Sequence, residues 1–151
     1  MTTLKQQLQE DLTAAIKARD ELRTSTIRLT LSAVTAEEKA GKTERELDDA
    51  EVLKVIAREA KKRREAAEAF EQAGRTESAA QERAEGEVLA HYLPKQLSDE
   101  ELTAIVAEAV AASGATGPQG MGAVMKLVKP KVDGLAEGGR VAAAVKAALQ
   151  P

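Results

Sequence analysis

Asp48–Gly74 reads DDAEVLKVIAREAKKRREAAEAFEQAG. Asp48 followed three residues later by Glu51 is a helix-opening pair. Val52, Val55, Ile56, Ala60, Ala67 and Phe70 then recur at three- and four-residue steps, and Gly74 stands where a terminating glycine belongs. The polar remainder is charged and self-compensating. Glu59 precedes Arg63 by four, Lys61 precedes Glu65 by four and Arg64 precedes Glu68 by four. That spacing gives surface ion pairs of about 0.3–0.5 kcal/mol each. Despite its four consecutive cations, Lys61-Lys62-Arg63-Arg64 therefore reads as a solvated helix face and not as a polyanion site. A helix of this length needs helical partners.

The flanking sequence supplies them. Upstream, Thr3 with Gln6 forms a capping box before Leu4, Leu8, Leu12, Ala15 and Ile16. A second stripe (Leu22, Leu29, Ala33 and Ala36, widened by Ile27, Leu31 and Val34) stops near Gly41. Downstream, Thr76 is the expected cap of a fourth helix carrying Ala80, Ala84, Val88 and Leu89. Tyr92-Leu93-Pro94 then interrupts, since proline disfavours helical backbone at the residue before it. Ser98 with Glu101 opens a fifth helix through Leu102, Ile105, Val106, Ala109 and Val110, closed by Gly114. After a small-residue loop, two short helices are expected over roughly 121–129 and 138–149. No period-2 run of β-branched residues announces a strand. The expected fold is all-α, with residues 1–93 a four-helix, bundle-like domain and residues 94–151 a compact three-helix domain.

Composition narrows the function. Of 151 residues only Phe70 and Tyr92 are aromatic, and there is no cysteine, so thiolate catalysis and Cys-based zinc sites are excluded. His91 is the single histidine; it sits with no nucleophile or orienting acid at a recognisable spacing. The serines Ser25, Ser32, Ser78, Ser98 and Ser113 are dispersed, unlike the clustered set of a serine-dependent amidase. No segment resembles a signal peptide or a membrane span, so a cytoplasmic protein without membrane contact is expected. Tyr92 is expected to pack the joint between the two parts, and Arg28 to pair in a buried site with Glu87.

Charge is uneven. Residues 1–93 hold 16 Lys+Arg against 19 Asp+Glu, while residues 113–151 hold five against two, within a net charge of −3. In that basic segment, Gly120-Met121-Gly122-Ala123-Val124-Met125-Lys126 places glycines at an expected helix start, and Lys129, Lys131, Arg140 and Lys146 follow. Exposed amides at a helix start with nearby cations suit phosphate. The candidate nucleic-acid-binding residues are Met121, Gly122, Lys126, Lys129, Lys131, Arg140 and Lys146. The competing reading has glycines serving close packing and lysines an ordinary wet face. No Gly-Lys-Ser/Thr or dinucleotide fingerprint is present.

Three blocks in order resemble one family: Ile27-Arg28-Leu29; Ala57–Glu65 with Phe70–Arg75, Glu87 and Tyr92–Ser98; and Met121–Met125 with Gly134–Gly138 and Val145–Leu149. Together they look like the YqeY-like family (GatB/YqeY domain), which is similar to the tail of the B subunit of aspartyl/glutamyl-tRNA amidotransferase. Two departures are visible: Glu137 where the family often has Asp, a better helix cap, and Ala123 where it often has Lys. The resemblance implies an all-helical two-part fold and a tail that touches tRNA without the transamidation centre. The expected function is a non-catalytic tRNA- or RNA-binding, amidotransferase-associated accessory protein. The alternatives are a carbon–nitrogen ligase component with glutamine as amide donor, or a protein-interaction module docking through Val124, Leu127 and Val128. The expected partners are tRNA or another RNA and a protein; no cofactor, no metal and a monomeric state are expected.

Overall fold

The computed structural model describes residues 2–150. It is all-helical: α1 (Leu4–Lys17), α2 (Glu21–Lys39), α3 (Asp49–Gln72), α4 (Thr76–Ala90), α5 (Asp99–Ser113), a 3₁₀ turn (Pro118–Gly120), α6 (Met121–Val132) and α7 (Gly138–Leu149). No strand occurs among the described residues. The chain forms two compact units, one ending at Leu93 and the other beginning at Pro94.

In the first unit, α1 starts in the full Thr3–Gln6 capping box and α3 starts at Asp48, whose carboxylate accepts from Glu51 N–H. Thr76 lies one residue inside α4. Arg75 holds the cap position there and makes no side-chain cap bond. The core is Leu8, Ile27, Val34, Leu47, Val52, Val55, Ile56, Val88 and Leu89. It is purely aliphatic, as the shortage of aromatics requires.

α3 and α4 run antiparallel, cross-linked by Arg63 Nε to Glu85 Oε2 (3.1 Å) and by Arg83 to Glu71. Glu59 pairs with Lys62 at 2.9 Å instead of Arg63, because Arg63 turns across to α4. Lys61 does face Glu65, at 3.9 Å.

Glu82 shares this junction, 3.9 Å from Arg63, with its Oε2 buried and without a hydrogen bond. Burial first, and then the charge of Glu85, hold its pKa above the usual carboxylate value. A raised carboxyl pKa favours folding below the unfolded value, and the benefit is lost as pH rises through the folded value. Glu82→Gln is therefore expected to stabilise the protein by about 0.5 kcal/mol at neutral pH. The difference from wild type should vanish in acid, where Glu82 is itself neutral; paired urea melts at the two pH values measure this.

One expectation fails in this unit. Arg28 and Glu87 are both exposed and form no buried pair. The buried face of α2 is instead Thr26, Ile27, Thr30 and Val34, with Glu38 below them, which rotates Arg28 and Leu29 to the surface. Tyr92 packs against the first core, and its hydroxyl donates to the Asp11 carboxylate. Burial and that neighbouring carboxylate push its pKa upward.

In the second unit, α5 carries the Ser98–Glu101 capping box and ends at Gly114 in left-handed geometry (φ 70°). Its core is Leu102, Val106, Ala109, Val124, Val128, Val132, Val141, Val145 and Leu149. Val124 and Val128 are fully buried, so the docking groove expected from them is filled by the unit's own core. Leu127 alone of the three is exposed.

α6 runs through Pro130 to Val132 instead of stopping at Lys129. Pro130 has no N–H, which deprives the Lys126 carbonyl of its helical donor, and its ring disfavours helical backbone at Lys129. Pro130→Ala restores the bond. It is expected to raise the stability of α6 by about 1 kcal/mol, after allowance for the entropy that proline removes from the unfolded chain. Amide exchange of Val128–Val132 reads this directly.

Candidate nucleic-acid interface

The glycines of the 120s divide by physical role. At Gly120 a Cβ would lie 2.5 Å from the Ala115 Cβ, so that residue is glycine because the 3₁₀ turn packs tightly on the end of the α5 loop. At Gly122 a Cβ would meet nothing within 4 Å. Packing does not require glycine there, and in a helix glycine costs about 1 kcal/mol against alanine. Gly122 therefore leaves a patch of bare, exposed backbone in the first turn of α6.

The start of α6 is less open than the sequence suggests. The 3₁₀ turn feeds straight into the helix: Gly120 N–H donates to Gly117 O and Met121 N–H donates to Pro118 O. The Met121 amide is thus used internally, and its side chain packs half-buried against the second core. No side chain caps this terminus.

The cations separate by helical geometry. At about 100° per residue, Gly122, Lys126 and Lys129 fall within about 60° of one another, on the side of α6 away from Val124, Val128 and Val132. Lys131 lies about 140–160° from both lysines, on the opposite flank. All three lysines are exposed.

On α7, Lys146 is exposed, whereas Arg140 is engaged in the fold. Its Nη2 donates to the Leu97 carbonyl (2.9 Å) and to Asp99 Oδ1 (2.8 Å), tying α7 to the start of α5. α7 itself begins at Glu137 without a side-chain cap bond, as the replacement of Asp by Glu leads one to expect. Of the seven sequence candidates, the structure aligns Gly122, Lys126 and Lys129 in one row. It places Lys131 and Lys146 elsewhere on the surface and gives Met121 and Arg140 internal partners.

Among the described residues, no group of three or more His, Cys, Asp or Glu side chains could hold a metal ion, and no helix is long and apolar enough to cross a membrane. His91 is exposed at the end of α4.

An all-helical chain with an exposed lysine row on its penultimate helix is the class that the geometry defines. Over residues 5–149 the sequence matches the family model described as Yqey-like protein, and the chain belongs to that family. Comparison with curated proteins gives no match.

Proposed function

We propose that this protein is a non-catalytic RNA-binding accessory protein whose second unit, residues 94–151, is the contact surface. The leading unit, residues 1–93, acts as a separate helical domain in this reading. One observation carries it: Gly122 has no packing reason to be glycine and stands in line with Lys126 and Lys129.

Bare backbone lets a phosphate approach the helix, and two lysines on the same row supply the counter-charge. Lys131 and Lys146 contribute only to the wider field of the basic segment. The resemblance to the amidotransferase tail supports tRNA as the RNA. Lysines read phosphate as point charges, so the expected recognition is of backbone shape and not of base sequence. Titration of labelled tRNA into the purified full chain at low salt tests the proposal. Binding that is indifferent to Lys126 and Lys129 rejects it.

A further inference from the structure

Arginine in this chain is, with few exceptions, paired. Arg45 binds Glu51, Arg58 binds Glu37, Arg63 binds Glu85, Arg83 binds Glu71 and Arg140 binds Asp99, while Arg75 lies 5.0 Å above the Phe70 ring. Arg19 and Arg28 have no such partner among the described residues. Both line one groove of about 460 Å³, formed by the end of α1 and the first two turns of α2, together with Ile16, Glu21, Thr24 and Ser25.

A second observation concerns the backbone. Arg19 is the one non-glycine residue at positive φ (57°) among those described. Its amide donates to Ile16 O and the Asp20 amide to Ala15 O. The same bond pattern ends α3, where Gly74 (φ 77°) occupies the equivalent place. The turn itself therefore calls for glycine. Holding an arginine there costs on the order of 1 kcal/mol of backbone strain. The side chain returns nothing to the fold through an ion pair, so its placement in the groove is the feature left to explain.

A third observation is Ile16, which lines the same groove and stays 47% exposed. Thr24 adds a hydroxyl, and Ser25 Oγ, which donates to Leu22 O, keeps lone pairs to offer.

We propose that this groove binds a phosphate ester of nucleotide size. Planar guanidinium groups match a phosphate bidentately, and two arginines line this one groove. Glu21 on the same wall is an acceptor that would repel a bare anion, so the ligand carries hydroxyl donors as well as its phosphate. Ile16 offers an apolar face for the flat or carbon-rich part of the molecule. The volume lies in the usual range for small-ligand sites. The site belongs to the first unit and does not depend on the RNA reading of the second.

The test is an amide-shift titration of the full chain with adenosine 5′-monophosphate, with adenosine and inorganic phosphate as parallel probes. The nucleotide is expected to give saturable shifts confined to residues 16–28. Adenosine should give none, and inorganic phosphate weaker ones. Arg19→Gly removes the cation and relieves the strain together, so it is expected to weaken nucleotide binding at least tenfold without lowering Tm. Arg28→Gln should weaken it similarly. Shifts that fail to saturate by about 10 mM, weaker than any useful affinity, would overturn the proposal. So would shifts that persist in Arg19→Gly, or a response at these amides to an RNA oligonucleotide but not to the mononucleotide.

Discussion

Changing Lys126 and Lys129 together to alanine is expected to weaken tRNA binding about 30-fold at about 50 mM monovalent salt, with no loss of fold. Each phosphate–lysine contact releases roughly 0.7–0.9 of a counterion, so removing two lowers the slope of log K against log salt by roughly 1.4–1.8. The effect of the pair shrinks as salt rises, and at high salt wild type and variant converge. Lys131→Ala is the internal control. Lys131 is just as exposed and just as charged, but it lies on the far flank of α6. Its loss should change affinity less than twofold. Equal losses at Lys129 and Lys131 would mean that the basic segment acts as a diffuse field, and the row would have no special standing.

Gly122→Ala separates amide access from charge. The added methyl group has room, and alanine favours the helix, so stability should rise by about 0.5–1 kcal/mol. RNA affinity should nevertheless fall, because the methyl group sits where the phosphate approaches. A variant that is more stable and binds equally well would leave the glycine without a role in binding.

The sequence showed helix ends well and helix faces less well. Thr3–Gln6, Asp48, Ser98–Glu101, Gly74 and Gly114 end or begin helices by local chemistry, and local chemistry is written in adjacent residues. The face of α2 was misread because it buries two threonines. Thr30 Oγ1 donates back to the Thr26 carbonyl at 2.9 Å, which hides its polarity and leaves a methyl group to pack. A hydropathy pattern counts such a residue as polar and so turns the helix too far, bringing Arg28 inward and Glu87 with it.

The candidate site divides in the same way. The row Gly122–Lys126–Lys129 follows from helical period alone. The engagement of Arg140 by Asp99 and Leu97, and of the Met121 amide by Pro118, depends on partners that no spacing within α6 or α7 reveals. The groove at Arg19 carried one signal that could have been used: an arginine at the position after a helix end, where glycine is the ordinary choice.

The largest effect on stability is expected at a residue that periodicity passes over. Glu38, near the end of α2, is 7% exposed and accepts three hydrogen bonds from two donors: Lys5 Nζ at 2.9 Å on Oε1 and 3.1 Å on Oε2, and the Leu47 amide at 3.1 Å on Oε2. Its own carbonyl accepts from Arg45 N–H. One residue thus fastens α1 to α2 and seats the α2–α3 loop so that Leu47 enters the core. Glu38→Ala strands a buried amide and an ammonium group that is only partly able to reach water. The expected loss is about 2–3 kcal/mol, and the first unit's Tm should fall by roughly 10–15 °C.

Glu38→Gln keeps an acceptor for Leu47 but loses the charge opposite Lys5, so it should fall between alanine and wild type. The pH dependence follows from the same contacts. The hydrogen bond from Lys5, and after it the one from Leu47, hold the Glu38 pKa below 4.5. A lowered carboxyl pKa contributes stability above the unfolded value, and that contribution is lost as pH falls through the folded one. The gap between wild type and Glu38→Gln should therefore be constant from neutral pH down to the ordinary carboxylate range and close as pH falls below it. This is opposite in sign to Glu82, where acid removes a penalty. A gap that persists undiminished at low pH would show that Glu38 acts through shape and not through its charge.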